Sequence, residues 1–176
     1  MILPFSTKIG DKPTYFIEKI WEGLLRDVYE SDTEYQQYLR LHKIKFLGYW
    51  DWIPDEYKRI TNPKIHTLRD DEKDRWKSGK LIHFFINNQK SDMFQFAPVL
   101  PVVSTQEVFM TYAHSDLIEI SIDDRQLFSY NERLEFALND GFDSWEDFFK
   151  YFYPKITASK QKFYKGKLIH WTNLKY

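Results

Sequence analysis

Residues 64–85 read KIHTLRDDEKDRWKSGKLIHFF, and the fold turns on how this stretch divides. KIHTLR at its start and KLIHFFIN at 80–87, after Gly79, are short runs of branched, aromatic and polar side chains, the pattern of strands. DDEKDRW between them is almost wholly polar and predicts a solvated helical turn. Two short strands joined by a charged turn thus anchor the middle of the chain, and the remaining elements can be assigned outward from them.

Upstream, residues 14–25 predict a helix. Phe16, Ile17, Ile20, Trp21, Leu24 and Leu25 recur on one helix face, and Pro13 stands just ahead as a start signal. Residues 26–62 are charged and aromatic, helical over 34–43 and irregular or briefly extended over 46–52. There Tyr49, Trp50 and Trp52 either cover a cleft or close the core. Asn62-Pro63 marks a turn.

Downstream, residues 93–112 predict one or two strands interrupted at Pro98 and Pro101, which suits an edge or a bulge. Residues 117–122 and 126–128 flank Asp123-Asp124-Arg125 as a tight hairpin. A short helix over 130–138 is broken by Gly141. Asp143-Ser144-Trp145-Glu146 then has capping-box spacing, with Asp143 as the cap of a helix that buries Trp145, Phe148, Phe149 and Phe152 and stops at Pro154. Residues 167–172 give the last strand. Five or six short strands with two or three helices around them describe an α+β domain on a small, partly open β-barrel.

Composition agrees with one domain over residues 1–176: 6 Trp, 12 Tyr and 15 Phe against 6 Gly supply an aromatic core. The longest near-apolar run, 96–103, carries two prolines and is too short for a membrane span. The opening MILPF lacks the regions of a signal peptide, so a soluble, cytoplasmic protein without a membrane partner is expected. The absence of cysteine excludes disulfide frameworks, Cys-zinc ribbons and thiol nucleophiles, and with 5 His any metal site would lean on carboxylates. No cofactor and no metal are expected.

The net charge of −1 hides an asymmetry: residues 115–149 hold ten acids and two arginines, while residues 150–176 hold seven lysines and no acid. The basic tail, with Phe163, Tyr164, Trp171 and Tyr176 interleaved, suits a nucleic-acid face in which lysines neutralise phosphate and rings stack on bases. The alternative is an acidic helical face lying against a basic strand, both solvated. Two strands share the pentapeptide GKLIH, at 79–83 and 166–170, with no longer repeat around it. Period-2 alternation puts His83 and His170 on the same face as their leucines, where an imidazole more often satisfies a hydrogen bond than binds metal.

Lys64-x-x-Thr67-x-Arg69, followed after about ten residues by Gly79 and a strand, resembles the signature of the ASCH domain, a member of the PUA-like β-barrel superfamily. In that family the segment follows closely on a helix ending in Gly, which Glu18-Lys19-Ile20-Trp21-Glu22-Gly23 resembles. Residues 24–63 separate the two halves, so the resemblance makes the stretch 26–62 an insertion. Asn139-Asp140-Gly141-Phe142-x-Ser144 matches the family's acidic turn and helix, and Leu168 to Trp171 its closing strand. The match covers about three quarters of the chain. The resemblance implies a cleft that accommodates RNA or a nucleoside-like ligand. Some bacterial members are amidohydrolases that deacetylate N4-acetylcytidine with the motif's Lys and Thr and a later Glu. Lys64 and Thr67 match; Leu138 stands opposite that Glu, with Asp140 two residues on as the nearest acid.

Amide hydrolysis without Cys or metal needs an activated hydroxyl or water, a base, and a donor for the oxyanion. Lys64 serves as base if burial lowers its pKa, Asp140 orients it or carries a proton, and Arg69 holds phosphate or carboxylate. On one strand Lys64 and Thr67 face opposite sides, so they converge only through a turn or bulge. The plain alternative is that Lys64 and Arg69 form structural ion pairs with Asp70, Asp71 or Asp140. Three functions are weighed: binding of RNA or a nucleotide by Lys64, Arg69, His66, Trp50, Trp52, His83, His170 and Trp171; amide hydrolysis by Lys64, Thr67 and Asp140; and docking of a protein partner on 26–62.

Overall fold

The computed structural model describes residues 1–50 and 62–176. Its elements run β1 (Ile2–Phe5), β2 (Lys8–Ile9), β3 (Lys12–Pro13), α1 (Phe16–Asp27), α2 (Thr33–Phe46), β4 (His66–Arg69), β5 (Leu81–Ile86), β6 (Phe94–Gln95), β7 (Leu100–Pro101), β8 (Ser104–His114), β9 (Leu117–Ile122), β10 (Arg125–Gln126), α3 (Tyr130–Asn139), α4 (Trp145–Ala158) and β11 (Phe163–His170). A five-stranded antiparallel sheet has the order β10-β9-β8-β11-β4, and a second sheet pairs β5 with β1 in parallel and with β6 and β7 antiparallel. β2 and β3 form a separate hairpin. The class is α+β, and none of these sheets closes on itself among the described residues. No helix there is long and apolar enough to cross a membrane.

Two apolar clusters hold the fold. β1, β5, α1 and α2 enclose Phe5, Trp21, Phe84, Phe96 and Trp171, and the five-stranded sheet with α3 and α4 encloses Met110, Phe136, Trp145, Phe148 and Phe152. β11 separates them: its alternation sends Ile169 to the first and Leu168 to the second.

Several expectations change. The DDEKDRW stretch is a tight turn rather than a helical one, because the Asp71 carboxylate accepts from the amides of Arg75 (3.0 Å) and Trp76 (2.9 Å) and fixes a non-helical backbone. Helix α4 passes through Pro154 and ends at Ala158, since Ile156 is fully buried and holds the last turn in place. Its cap is Ser144, which accepts from Asp147 N, and Asp143 pairs instead with Lys12 and Lys19. The capping box sits on α3, between Ser129 and Glu132. Asp123 and Asp124 both take positive φ, 45° and 68°, and make the two-residue turn that registers β9 against β10. The last strand starts at Phe163, four residues earlier than expected, because β8 and β11 pair along their whole facing length.

Candidate functional site

The segment that enters β4 is pinned between two helices. The Lys64 amide donates to Lys19 O in α1 (3.0 Å) and the Ile65 amide to Asn139 O in α3 (3.1 Å), so Lys64 precedes the strand rather than lying on it. That removes the alternation problem: Lys64 and Thr67 reach the same cavity. Glycines make the approach possible on both sides. A Cβ on Gly23 would stand 2.9 Å from Ile65 Cγ2, and one on Gly141, whose φ is +92°, would stand 2.9 Å from both Lys64 Cδ and Phe16 Cε1.

Lys64 runs inward with 1% of its surface exposed. Its ammonium donates to Asp140 Oδ1 at 2.8 Å and to the Asp140 carbonyl, and the Leu68 amide donates to the same Oδ1 at 3.1 Å. Burial lowers the Lys64 pKa from 10.5 to about 8, with the Asp140 carboxylate opposing the drop. Beside this pair lies a cavity of about 300 Å³ lined by Lys64, Thr67, Arg69 and Asp140, with Lys8, Ile9 and Gly10 of the β2–β3 hairpin on one side and Tyr151, Lys155 and Tyr164 on the other. Thr67 and Arg69, two apart on β4, share the face toward it. The Thr67 hydroxyl makes no side-chain hydrogen bond among the described residues.

Arg69 Nη2 donates to Pro4 O (2.6 Å), and its guanidinium lies 5.2 Å from the Phe5 ring centre. Its Nε is buried without a hydrogen-bond partner. Burial pushes this guanidinium down, against the pull of Asp140. Lys155 is exposed, its Nζ 4.1 Å from the Tyr151 ring centre and 3.0 Å from the Tyr151 hydroxyl. Burial and then the neighbouring Asp70 raise the Tyr164 phenol. A second cavity, about 320 Å³, continues under the hairpin and shares Ile9, Gly10, Phe16, Phe142 and Tyr151 with the first. There the Lys19 ammonium is buried on Gly141 O and Asp143 (2.6 Å each), which, after burial has lowered its pKa, partly restores it.

The structure brings Lys64, Thr67, Arg69 and Asp140 together, and sends the other candidates elsewhere. His66 lines no part of this cavity but backs onto it: its Nδ1 stands 3.8 Å from Asp140 Oδ1, its ring packs against Phe136, His170 and Tyr176, and its Nε2 shares a 2.8 Å hydrogen bond with the Tyr176 hydroxyl, which accepts from Asn139 Nδ2. His170 is fully buried beside it, with both ring nitrogens unpartnered, and burial holds both imidazoles below their ordinary pKa. Trp171 is core, edge-on to Phe84 and Phe5. Trp50 is core too, stacked on Trp21. His83 lies half-buried on β5 in the other sheet. Trp52 lies outside the described residues. No cluster of three or more His, Cys, Asp or Glu suited to a metal occurs among the described residues.

The basic tail is only partly a face. Lys167 pairs with Asp71 and Asp74 and Lys165 with Glu107, so its acidic partners come from the β4–β5 turn and β8 rather than from 115–149. Lys155 and Tyr164 reach the cleft, as do Tyr151 and Phe152 of α4, and the lysine-aromatic interleaving was the signal for the first two. Lys8, Lys19 and Tyr151 carried no sequence signal for the cleft, because only the hairpin, α1 and α4 bring them beside β4. On the described part of 26–62, Ile44 and Leu47 are exposed.

Comparison with protein-family models, with curated proteins and with solved structures gives no match to this chain.

Proposed function

We propose that the cleft beside β4 binds an anionic, base-bearing ligand of the nucleotide or RNA type, in a PUA-like setting and in the cytoplasm. One observation carries this: a 300 Å³ cavity in which Lys8, Lys64, Arg69 and Lys155 outnumber Asp70 and Asp140, with Phe16, Phe142, Tyr151 and Tyr164 in its wall. Cations supply charge-assisted hydrogen bonds to phosphate oxygens, and aromatic faces stack on a base. The buried, unpartnered Arg69 Nε gives such an anion an unused donor beside the cleft. A thermal-shift and calorimetric screen of wild type against nucleosides, nucleotides and short RNA tests the reading, with Arg69→Met as control. Stabilisation that grows with ligand concentration in wild type and shrinks in the variant supports it. No response to any of these ligands sinks it.

A second reading, hydrolysis of an acylated nucleoside such as N4-acetylcytidine, is favoured by the Lys64–Asp140 contact with Thr67 in the same wall. Neutral Lys64 would take a proton from water as its oxygen bonds to the acyl carbon, Arg69 would face the oxyanion, and the lysine proton would pass to the departing nitrogen. Cytidine and acetate should then form in equal amounts, at a rate that rises as pH approaches 8. Unchanged N4-acetylcytidine after prolonged incubation with the folded protein would exclude it.

A further inference from the structure

Three cavities lie end to end along one face of α4, and their charges differ. The chamber under the hairpin is lined by Ile9, Pro13, Phe16, Phe142 and Tyr151; its Lys12 and Lys19 are neutralised by Asp143 and Asp147, and its third cation, Lys150, is exposed. The middle chamber carries the cationic excess at Lys8, Lys64, Arg69 and Lys155. Beyond Asp70, Lys155 and Tyr164, which both share, a third chamber is lined by Asp71, Glu72, Asp74 and Glu107; its Lys165 pairs with Glu107 and its Lys167 with Asp71 and Asp74, which leaves acids in excess. One anion site is therefore flanked by an apolar aromatic chamber on one side and an acidic one on the other.

We infer that the ligand is a single nucleotide unit carrying one phosphate, with its base under the β2–β3 hairpin and its phosphate between Arg69 and Lys155. The inference rests on the nucleotide-binding reading and narrows it. A running RNA strand would place its next phosphate in the acidic chamber, where carboxylates repel it, or in the apolar chamber, where Lys12 and Lys19 are already held by acids and Lys150 alone, an exposed side chain, is left to meet it. The first two chambers, about 320 and 300 Å³, accommodate a base and a ribose phosphate. Arg69 supplies the anchor because its guanidinium is held by Pro4 O and Phe5 before any ligand arrives.

The test is isothermal titration of the full chain with the four ribonucleosides, their 5′-monophosphates, and mixed-sequence trimers and hexamers. A monophosphate is expected to bind about tenfold or more tightly than its nucleoside, since a charged hydrogen bond contributes that much. Trimers and hexamers gain nothing further. Lys155→Ala, at an exposed position that spares folding, brings the monophosphate toward its nucleoside. Glu72→Gln with Glu107→Gln lets the hexamer bind several-fold more tightly than it binds wild type. Affinity that climbs with chain length in wild type overturns the single-unit inference and leaves the nucleic-acid reading standing. Equal affinity for nucleoside and monophosphate overturns the assigned phosphate position. No binding by any probe overturns both readings.

Discussion

The Lys64 ammonium sits where few lysines do, and its environment fixes measurable consequences. Its native pKa is about 8, below the ordinary 10.5, so between those values the unfolded chain holds a proton that the native protein has released. Unfolding free energy therefore rises with pH across that window, by up to about 3 kcal/mol for this group, and below pH 8 the full desolvation cost is present. Urea unfolding from pH 7 to 10 should show this slope in wild type and lose it in the double variant Lys64→Met, Asp140→Asn; matching slopes would place the ammonium in water. Removing Lys64 alone leaves a buried carboxylate and should cost about 3–5 kcal/mol. Gly141→Ala meets both a left-handed φ and two atoms at 2.9 Å, and is expected to cost about 2 kcal/mol or more, read as a fall in the urea midpoint. Lys64, Thr67 and Arg69 were legible in the sequence as a spaced set of polar side chains. Their convergence was not: it depends on Lys64 leaving the strand to bond to α1, a contact between residues far apart in the chain.

At the scale of elements, local chemistry predicted types better than ends. The periodicity of Phe16, Ile17, Ile20 and Trp21 marked α1, and Ser144 and Ser129 mark helix starts in the structure that a four-residue pattern centred on Asp143 blurred. Ser144→Ala should cost about 1 kcal/mol through the lost bond to Asp147 N, a fall in melting temperature that Ser144→Asp would spare. Pro154 misled for a physical reason. Proline disfavours a helix interior by about 3 kcal/mol, but the buried Ile156 side chain lies beyond it and holds the helix through it. Because Pro154 itself is exposed, Pro154→Ala should stabilise the protein by about 1–3 kcal/mol; a lower melting temperature would mean that the ring is packed. β1 and the β2–β3 hairpin escaped notice because two-to-four-residue strands carry too few alternations to read. Those elements nonetheless supply the backbone that holds Arg69 and the roof of the cleft.

Across the whole molecule, two clusters with a shared strand explain why the cleft forms at their junction. β11 serves both, β4 lies beside it at the sheet edge, and α1 and α3 meet at Lys64. Phe5→Ala, which strips a ring packed on Phe84, Phe96 and Trp171, should cost about 3–5 kcal/mol, and its loss of cation contact should loosen Arg69 as well. Gly23 and Pro63 also lie side by side, a Gly23 Cβ standing 3.4 Å from Pro63 Cβ, although the sequence runs forty positions between them. The chain departs and returns through one doorway. Closing an excursion that long costs only about 0.6 kcal/mol more for each doubling of its length, so chain entropy sets little limit on its size, and what ties it down is the burial of Leu24, Leu39 and Trp50 in the first cluster.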